Sequence, residues 1–242
     1  MLSKSDKKYI KSLSVKKNRD RERLFVVEGE KSVNEFLSSS FNIKAVYCTN
    51  ECETSFVNSI AISHSEMQQI SALKTPSPVI AIAEIPNAKI NNFDICNELV
   101  LALEDVQDPG NLGTIIRIAD WFGIKHIICS LHTADAYSNK TVQASMGSLT
   151  RLNIVYTDLI SFLKEIDNPV YGTFLEGTNI YSSNLSYAGV IVMGNEGKGI
   201  SKEVEKFVSE KLYIPPFGNS KTESLNVAAA TAIVCSEFRR KI

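Results

Sequence analysis

The chain has 242 residues, of which 44% are hydrophobic and 22% are charged, a composition that excludes disordered and collagen-like proteins and suits two domains. No apolar run reaches the roughly 18–20 residues of a membrane-spanning helix, and the basic start of the chain lacks the apolar stretch of a secretory signal. The five cysteines include no zinc-like CxxC pair. We therefore expect a cytoplasmic protein with no membrane and no metal partner.

The net charge of −1 conceals an asymmetry along the chain. Residues 1–23 carry a charge of +6, whereas the rest of the chain carries −7. A basic arm of this kind suits the phosphate backbone of a nucleic acid. The charge alone fits a solvated, partly helical end that binds nothing equally well.

The elements that follow the arm predict a small α/β domain. Ser65 is the expected N-cap of the second helix. The polar, turn-rich stretch 86–92 is the best candidate for a linker. In chain order, the predicted elements are a strand at 24–31 closed by Gly29, a helix at 32–37, a strand at 43–47, a helix at 65–73 and a strand at 79–85.

After the linker, strands alternate with helices, which favours a mostly parallel α/β sheet. We expect Asn111 to cap the first helix, and Thr222 or Ser224 to cap the last. The predicted strands are 99–103, 125–129, 153–156, 170–175, 190–193 and 212–214. The predicted helices are 112–122, 137–148, 159–165, 202–208 and 225–240.

Three loops in this half follow strands, at the edge where open α/β sheets bind ligands. Residues 108–113 lead into a helix from which Arg117 could reach a phosphate. Residues 194–199 place Glu196 among three glycines, which allow a close backbone approach. Residues 214–226 join a strand to an Ala-rich helix. Each loop alone is also explained by ordinary capping or a tight turn, but the three in this order are more specific.

These loops carry the motifs NLGTIIR, VMGNEGKGIS and IPP…ESLNVAAA. Residues 99–242 thereby resemble the SpoU (TrmH-type) branch of the SPOUT RNA methyltransferases. Less specifically, KKNRDRERLFVVEGEKSV resembles that family's small substrate-binding domain. Two departures are visible: Pro216 replaces the usual methionine, and the stretch between Gly218 and Ser224 is longer than in many relatives.

The resemblance implies an α/β fold whose parallel sheet is flanked by helices and tied in a deep trefoil knot. A smaller N-terminal α/β domain at 1–90, including the basic arm at 1–23, would bind RNA, and residues 97–242 would form the catalytic domain. The implied cofactor is S-adenosylmethionine, and the implied assembly is an obligate homodimer. The implied reaction is methylation of a ribose 2′-hydroxyl in structured RNA, with ribosomal RNA favoured over transfer RNA by the extra domain.

Site residues follow from the same resemblance, position by position. The implied catalytic residues are Asn111, Arg117, Glu196, Ser224 and Asn226. The implied cofactor-binding residues are Gly194, Asn195, Gly197, Ile214 and Leu225. From the basic arm, the expected RNA contacts are Lys16, Lys17, Arg19, Arg21 and Arg23.

An arginine guanidinium stays protonated in proteins, so we do not expect Arg117 to act as a literal base. The hypothesis is that Arg117 holds the adjacent phosphate and stabilises developing oxyanion charge. The proton would leave through a phosphate oxygen, water or Glu196. Two alternatives remain at this point: a non-catalytic RNA-binding or ribosome-assembly factor with the same fold, and a methyltransferase for small molecules.

Overall fold

The structure is a computed structural model that describes residues 2–52, 54, 56–90, 95–218 and 222–240. The helices are α1 (Lys4–Ser12), α2 (Lys16–Glu22), α3 (Glu30–Leu37), α4 (His64–Ile70), α5 (Pro109–Trp121), α6 (Asn139–Ser145), α7 (Leu159–Lys164), α8 (Lys202–Glu205) and α9 (Val227–Arg239). The strands are β1 (Leu24–Glu28), β2 (Ile43–Cys48), β3 (Ile60–Ala61), β4 (Val79–Glu84), β5 (Leu99–Leu103), β6 (His126–Cys129), β7 (Asn153–Tyr156), β8 (Val170–Phe174), β9 (Thr178–Asn179), β10 (Gly189–Met193) and β11 (Glu210–Tyr213).

The chain forms two compact units, one of residues 1–87 with 135–150, the other of residues 88–134 with 151–242. The first unit contains a four-stranded sheet in the order β1-β4-β2-β3. Strand β4 pairs antiparallel with β1 and β2, and β3 joins the edge parallel to β2. Apolar side chains of α1 and α4, among them Ile10 and Met67, cover this sheet together with Leu13, which directly follows α1; all three are buried.

The segment 135–150 packs into the first unit, although the sequence placed it inside the predicted catalytic domain at 97–242. Two contacts hold it there. The guanidinium of Arg19 donates to the carboxylate of Asp135 at 2.6 Å, and the ring of Tyr137 lies 5.0 Å from that of Phe25, between centroids. The boundary near residue 87 agrees with the predicted linker, whose residues 91 and 92 lie outside the described part of the chain.

The second unit contains a parallel sheet of seven strands in the order β7-β6-β5-β10-β8-β11-β9. Strands β5 and β10 are buried along their whole length, as the continuous apolar runs predict. Helices α7 and α8 cover one face. On the other face, Phe238 of α9 packs edge-on against Tyr171 of β8, and α5 packs against α9. The predicted α/β class with a helix-flanked parallel sheet is confirmed; the trefoil knot stays a prediction.

Three predicted N-caps are wrong, each by a few residues. Helix α4 is capped by Ser63, not Ser65, because the Ser63 hydroxyl accepts from the backbone N–H of Glu66. The side chain of Asp108, rather than Asn111, caps α5. Helix α9 starts after Asn226, whose side chain accepts from two backbone N–H groups, so neither Thr222 nor Ser224 is its cap.

Candidate active site

The loops that follow β5 and β10 meet because these strands are neighbours in the sheet. The backbone N–H of Glu104 donates to the carbonyl of Met193 at 2.9 Å. In the loop that follows β10, Nδ2 of Asn195 donates to the backbone carbonyl of Asp105, in the loop that follows β5, at 2.7 Å. Asp105 has a φ of 53°, a left-handed conformation that costs free energy in a residue with a side chain. Two hydrogen bonds with Ser130 hold it there.

A chain of side-chain hydrogen bonds joins all three motifs. Nδ2 of Asn226, just before α9, donates to Oδ1 of Asn111 at 3.0 Å. Nδ2 of Asn111 then donates to Oε1 of Glu196 at 3.0 Å. Oδ1 of Asn226 accepts from the N–H groups of Ala228 and Ala229. The side-chain oxygen and nitrogen of each asparagine therefore both form hydrogen bonds, which fixes the orientation of the two amides.

The carboxylate of Glu196 serves as the acceptor for the loop before α5. Besides Asn111, it accepts from the backbone N–H groups of Gln107 at 3.1 Å and Asp108 at 3.2 Å. Partial burial raises the pKa of Glu196, but these hydrogen bonds outweigh it and hold the pKa below its ordinary value. Glu196 is therefore ionised at neutral pH and is a weaker base than an ordinary glutamate.

Glycine is required where the β10 loop folds back on itself. The backbone N–H groups of Asn195 and Gly199 each donate to the other's carbonyl, which closes a tight turn. A Cβ on Gly194 would stand 2.3 Å from the carbonyl carbon of Gly199, far inside van der Waals contact. At Gly197 the nearest atom to such a Cβ is 3.7 Å away, so this position is open.

Arg117 and Ser224 differ from the other predicted catalytic residues. Both are exposed, and neither side chain forms a hydrogen bond or ion pair with a residue that the structure describes. Arg117 lies on α5, one turn before Trp121, whose side chain is 85% exposed. Trp121 is therefore not part of the core of this chain. Arg117 and Ser224 are the two predicted catalytic side chains that can turn to a ligand without breaking an existing bond.

The predicted cofactor-binding residues supply the groups that S-adenosylmethionine requires. Gly194 and Asn195 follow β10, while Ile214 follows β11, so their backbone groups lie at the carboxyl edge of one sheet. Gly199, with a φ of 69° and open space beside its Cα, allows close approach. A purine edge, ribose hydroxyls and an amino-acid group call for such backbone donors and acceptors, so these residues fit the cofactor.

The basic arm is only partly available for RNA. Arg19 is 3% exposed and its guanidinium also donates to the carbonyls of Leu13 and Ser14, so its predicted RNA contact is wrong. Arg23 donates to the carbonyls of Ile85 and Pro86. Lys16 pairs with Asp20, and Arg21 with Glu22. Lys17 is exposed and has no partner among the described residues.

Sequence reasoning missed three residues that build the site: Asp105, Gln107 and Asp108. Gln107 and Asp108 act through their backbone N–H groups, which leave no mark on residue type. Asp108 could have been found, because an aspartate directly before a proline at N1 is a typical helix start. The sequence offers no signal for the left-handed Asp105.

The sequence model of the SpoU rRNA methylase family matches residues 98–236, and that of the MRM3-like substrate binding domain matches residues 5–81. The chain belongs to the SpoU rRNA methylase family. It is 32% identical to the 23S rRNA (guanosine(2553)-2′-O)-methyltransferase RlmP of Bacillus subtilis, over 95% of this chain and 94% of that protein.

Solved structures of related proteins cover the whole chain. A TrmH-family protein from Porphyromonas gingivalis superposes with a TM-score of 0.88 at 38% identity, over 100% of both chains. An AdoMet-bound rRNA methyltransferase from Sinorhizobium meliloti gives 0.88 at 30% identity, over 100% of this chain and 97% of that one. These similarities confirm the resemblance and the enzyme class: the chain is an RNA ribose 2′-O-methyltransferase that uses S-adenosylmethionine. The non-catalytic alternative is not favoured.

Within the described residues, no three His, Cys, Asp or Glu side chains are grouped so that they could hold a metal ion. No helix in the same part of the chain has the length and apolar character to cross a bilayer.

Proposed function

We propose that this protein acts in the cytoplasm on ribosomal RNA of the large subunit, where it methylates one ribose 2′-hydroxyl. The observation that carries this proposal is the hydrogen-bonded chain from Asn226 through Asn111 to Glu196, which joins all three family motifs in one site. The full-length similarity to a 23S rRNA enzyme supports the choice of RNA. The two 23S rRNA relatives named for a specific nucleotide act on a guanosine and a uridine, so the proposal names the RNA and not the nucleotide.

In this proposal, Arg117 is the catalytic residue that touches the substrate. S-adenosylmethionine supplies an activated methyl group on a sulfonium. The 2′-hydroxyl is a weak nucleophile until charge assists it, and a guanidinium can hold the neighbouring phosphate in a bidentate grip. Arg117 thereby orients the ribose and stabilises the oxyanion that develops on it. Its exposed position on α5 leaves it free for this contact. Ser224, equally unengaged, would hydrogen bond the ligand beside it.

Asn111, Glu196 and Asn226 act as positioning residues. Their side-chain amide and carboxylate groups form hydrogen bonds with one another or with backbone N–H groups. Because Glu196 accepts three such bonds and its pKa is lowered, it is a poor acceptor for the substrate's proton. The proton then leaves through a phosphate oxygen or water. Gly194, Asn195, Gly197, Ile214 and Leu225 would hold the cofactor, mainly through backbone groups.

The test is a transfer assay with labelled S-adenosylmethionine and unmodified ribosomal RNA, followed by digestion to nucleosides. We expect label in a single 2′-O-methylated nucleoside of large-subunit RNA. Transfer RNA and small-subunit RNA serve as matched substrates in the same assay. Label that appears mainly in either of them would contradict the choice of RNA, and label in a base rather than a ribose would contradict the reaction.

We further infer a homodimer in which α5 contributes to the interface. The support is the 85% exposed Trp121 at the end of α5, a large apolar side chain for solvent. Because Trp121 is the single tryptophan of the chain, its fluorescence reports directly on the interface. We expect a blue-shifted emission that moves to the red on dilution, together with a dimer mass in sedimentation. A red emission at all concentrations would contradict this assignment.

A further inference from the structure

The first unit carries a basic surface that the predicted RNA contacts do not include. Helix α1 presents Lys4, Lys8 and Lys11 at spacings of four and three residues, which places them on one side of the helix. All three are exposed. None of their side-chain ammonium groups forms a hydrogen bond or an ion pair with any residue in the described part of the chain. We call these three residues the lysine face.

The helix that carries the lysine face is held firmly on its other side. Ile10 of α1 is buried, and the backbone N–H of Leu2 donates to the carboxylate of Glu66 at 2.7 Å. Lys7, the remaining lysine of the helix, is half-buried and lies 3.5 Å from the same carboxylate. A capping box between Ser3 and Asp6 fixes the first turn. The lysine face is therefore preorganised, not a flexible tail.

Several other cations of the basic arm, unlike the lysine face, are paired with carboxylates. Lys16, Arg19 and Arg21 each have a carboxylate within 3.1 Å. Like charges three and four residues apart disfavour a helix by about 0.2–0.5 kcal/mol per pair, and Lys4 also sits in the first turn, where the helix dipole disfavours a cation. An external polyanion would offset these costs.

The geometry points to one occupant. Seven residues of helix extend about 10 Å, and a nucleic-acid strand carries a phosphate roughly every 3 Å of helix axis. Three flexible ammonium groups over this length can each reach a different phosphate. We propose that the lysine face docks the phosphate backbone of the substrate RNA and so supplies affinity without sequence specificity. This inference rests on the proposed function and adds three contacts to those that the sequence predicts for the basic arm.

The test compares two triple variants with the same change in charge. The first is Lys4→Gln, Lys8→Gln, Lys11→Gln. The matched control is Lys31→Gln, Lys74→Gln, Lys164→Gln, three exposed lysines that lie off α1. Binding of an unmodified large-subunit RNA transcript is measured between about 50 and 200 mM salt. For the first variant we expect the slope of log K against log salt to fall by about 2 to 3 relative to the wild type, and that of the control to stay unchanged.

Kinetics and a conservative variant complete the test. We expect the first variant to raise KM for RNA about tenfold with kcat nearly unchanged, and Lys→Arg at the same three positions to restore the binding. Equal slopes in wild type and first variant, or equal losses in both triple variants, would overturn the proposal. An altered oligomeric state with unchanged RNA binding would overturn it too, in favour of an acidic protein surface. Because binding requires no turnover, this result is independent of whether the proposed methylation is found.

Discussion

At the scale of single residues, the site separates groups that hold the loops from groups that face a ligand. Asn111, Glu196 and Asn226 satisfy one another, whereas Arg117 and Ser224 are uncommitted. Family motifs mark all five alike. The hydrogen bonds therefore distinguish residues that hold the loops from residues that face a ligand. Residue type alone does not make this distinction.

Substitution Arg117→Lys tests the role of the guanidinium. A lysine keeps the charge but cannot reproduce a bidentate contact to phosphate, so we expect kcat to fall about 100-fold. Because Arg117 has no partner among the described residues, the unfolding midpoint should not change. Methyl transfer at saturating RNA and thermal unfolding measure the two quantities. An unchanged kcat would show that a point charge is sufficient, and it would contradict the proposed bidentate contact between Arg117 and the phosphate.

Two glycines of the β10 loop form a matched pair for stability. In Gly194→Ala the added Cβ meets backbone at 2.3 Å, which we expect to cost about 3 kcal/mol of unfolding free energy. In Gly197→Ala the new methyl has 3.7 Å of room, and the change should be less than about 0.5 kcal/mol. Urea unfolding of both variants measures the difference. Similar losses in the two variants would contradict the tight turn described for this loop.

At the scale of secondary structure, the sequence predicted the positions of most elements better than their ends. Strand β5 was predicted with its observed bounds because a continuous apolar run needs burial on both faces. The N-caps failed because several residues with cap-forming side chains stand close together: Thr222, Ser224 and Asn226 could each cap α9 by type. The observed cap depends on a hydrogen bond to Asn111, which is 115 residues away.

The same reasoning explains which site residues the sequence could and could not predict. The motif residues were recognisable as loops after strands. That the three loops meet depends on the pairing of β5 with β10, which no local pattern specifies. Arg19 looked like its basic neighbours because its partner Asp135 is 116 residues distant.

Glu66 fixes the start of α1 and makes this element sensitive to acid. The backbone N–H groups of Ser63 and Leu2 lower the pKa of Glu66 to about 2, against desolvation that raises it. A folded-state pKa below the ordinary value near 4.3 stabilises the fold above that pH, and this stabilisation is lost as the pH falls from about 4.3 towards 2. In Glu66→Gln the pH-dependent part is absent.

We therefore expect Glu66→Gln to be less stable than the wild type at pH 7 and the difference in unfolding free energy to narrow as the pH falls from about 4.3 towards 2. Urea unfolding across this range measures it. Glu176→Gln, at an exposed glutamate with no partner among the described residues, is the control and should show no such gap. A difference in unfolding free energy between Glu66→Gln and the wild type that does not change with pH would contradict this. It would mean that the shape of the Glu66 side chain, and not its charge, stabilises the start of α1.

At the scale of the whole molecule, a buried ion pair joins distant parts of the chain. Arg19 and the 12% exposed Asp135 lie within one compact unit. Removing one partner leaves the other charge uncompensated, so Arg19→Met should lower the unfolding free energy of this unit by about 3–5 kcal/mol.

A double-mutant cycle isolates the pair. With Asp135→Asn added, the uncompensated charge disappears, and the double variant should be more stable than Arg19→Met alone. Chemical unfolding followed by a probe in the first unit measures the three variants. Strict additivity of the two single changes would contradict a direct coupling between Arg19 and Asp135.

The recruitment of residues 135–150 into the first unit also sets an order of events during synthesis. Domains of multidomain chains generally fold as they emerge from the ribosome, the N-terminal one first. Here the N-terminal unit lacks the partner of Arg19 and the ring of Tyr137 until about 50 residues beyond its own last strand have left the exit tunnel. The surface of the N-terminal unit around Phe25 therefore stays exposed while strands of the other unit are being synthesised. A nascent chain arrested before residue 135 should therefore be open to protease in a way that one arrested well past residue 150 is not.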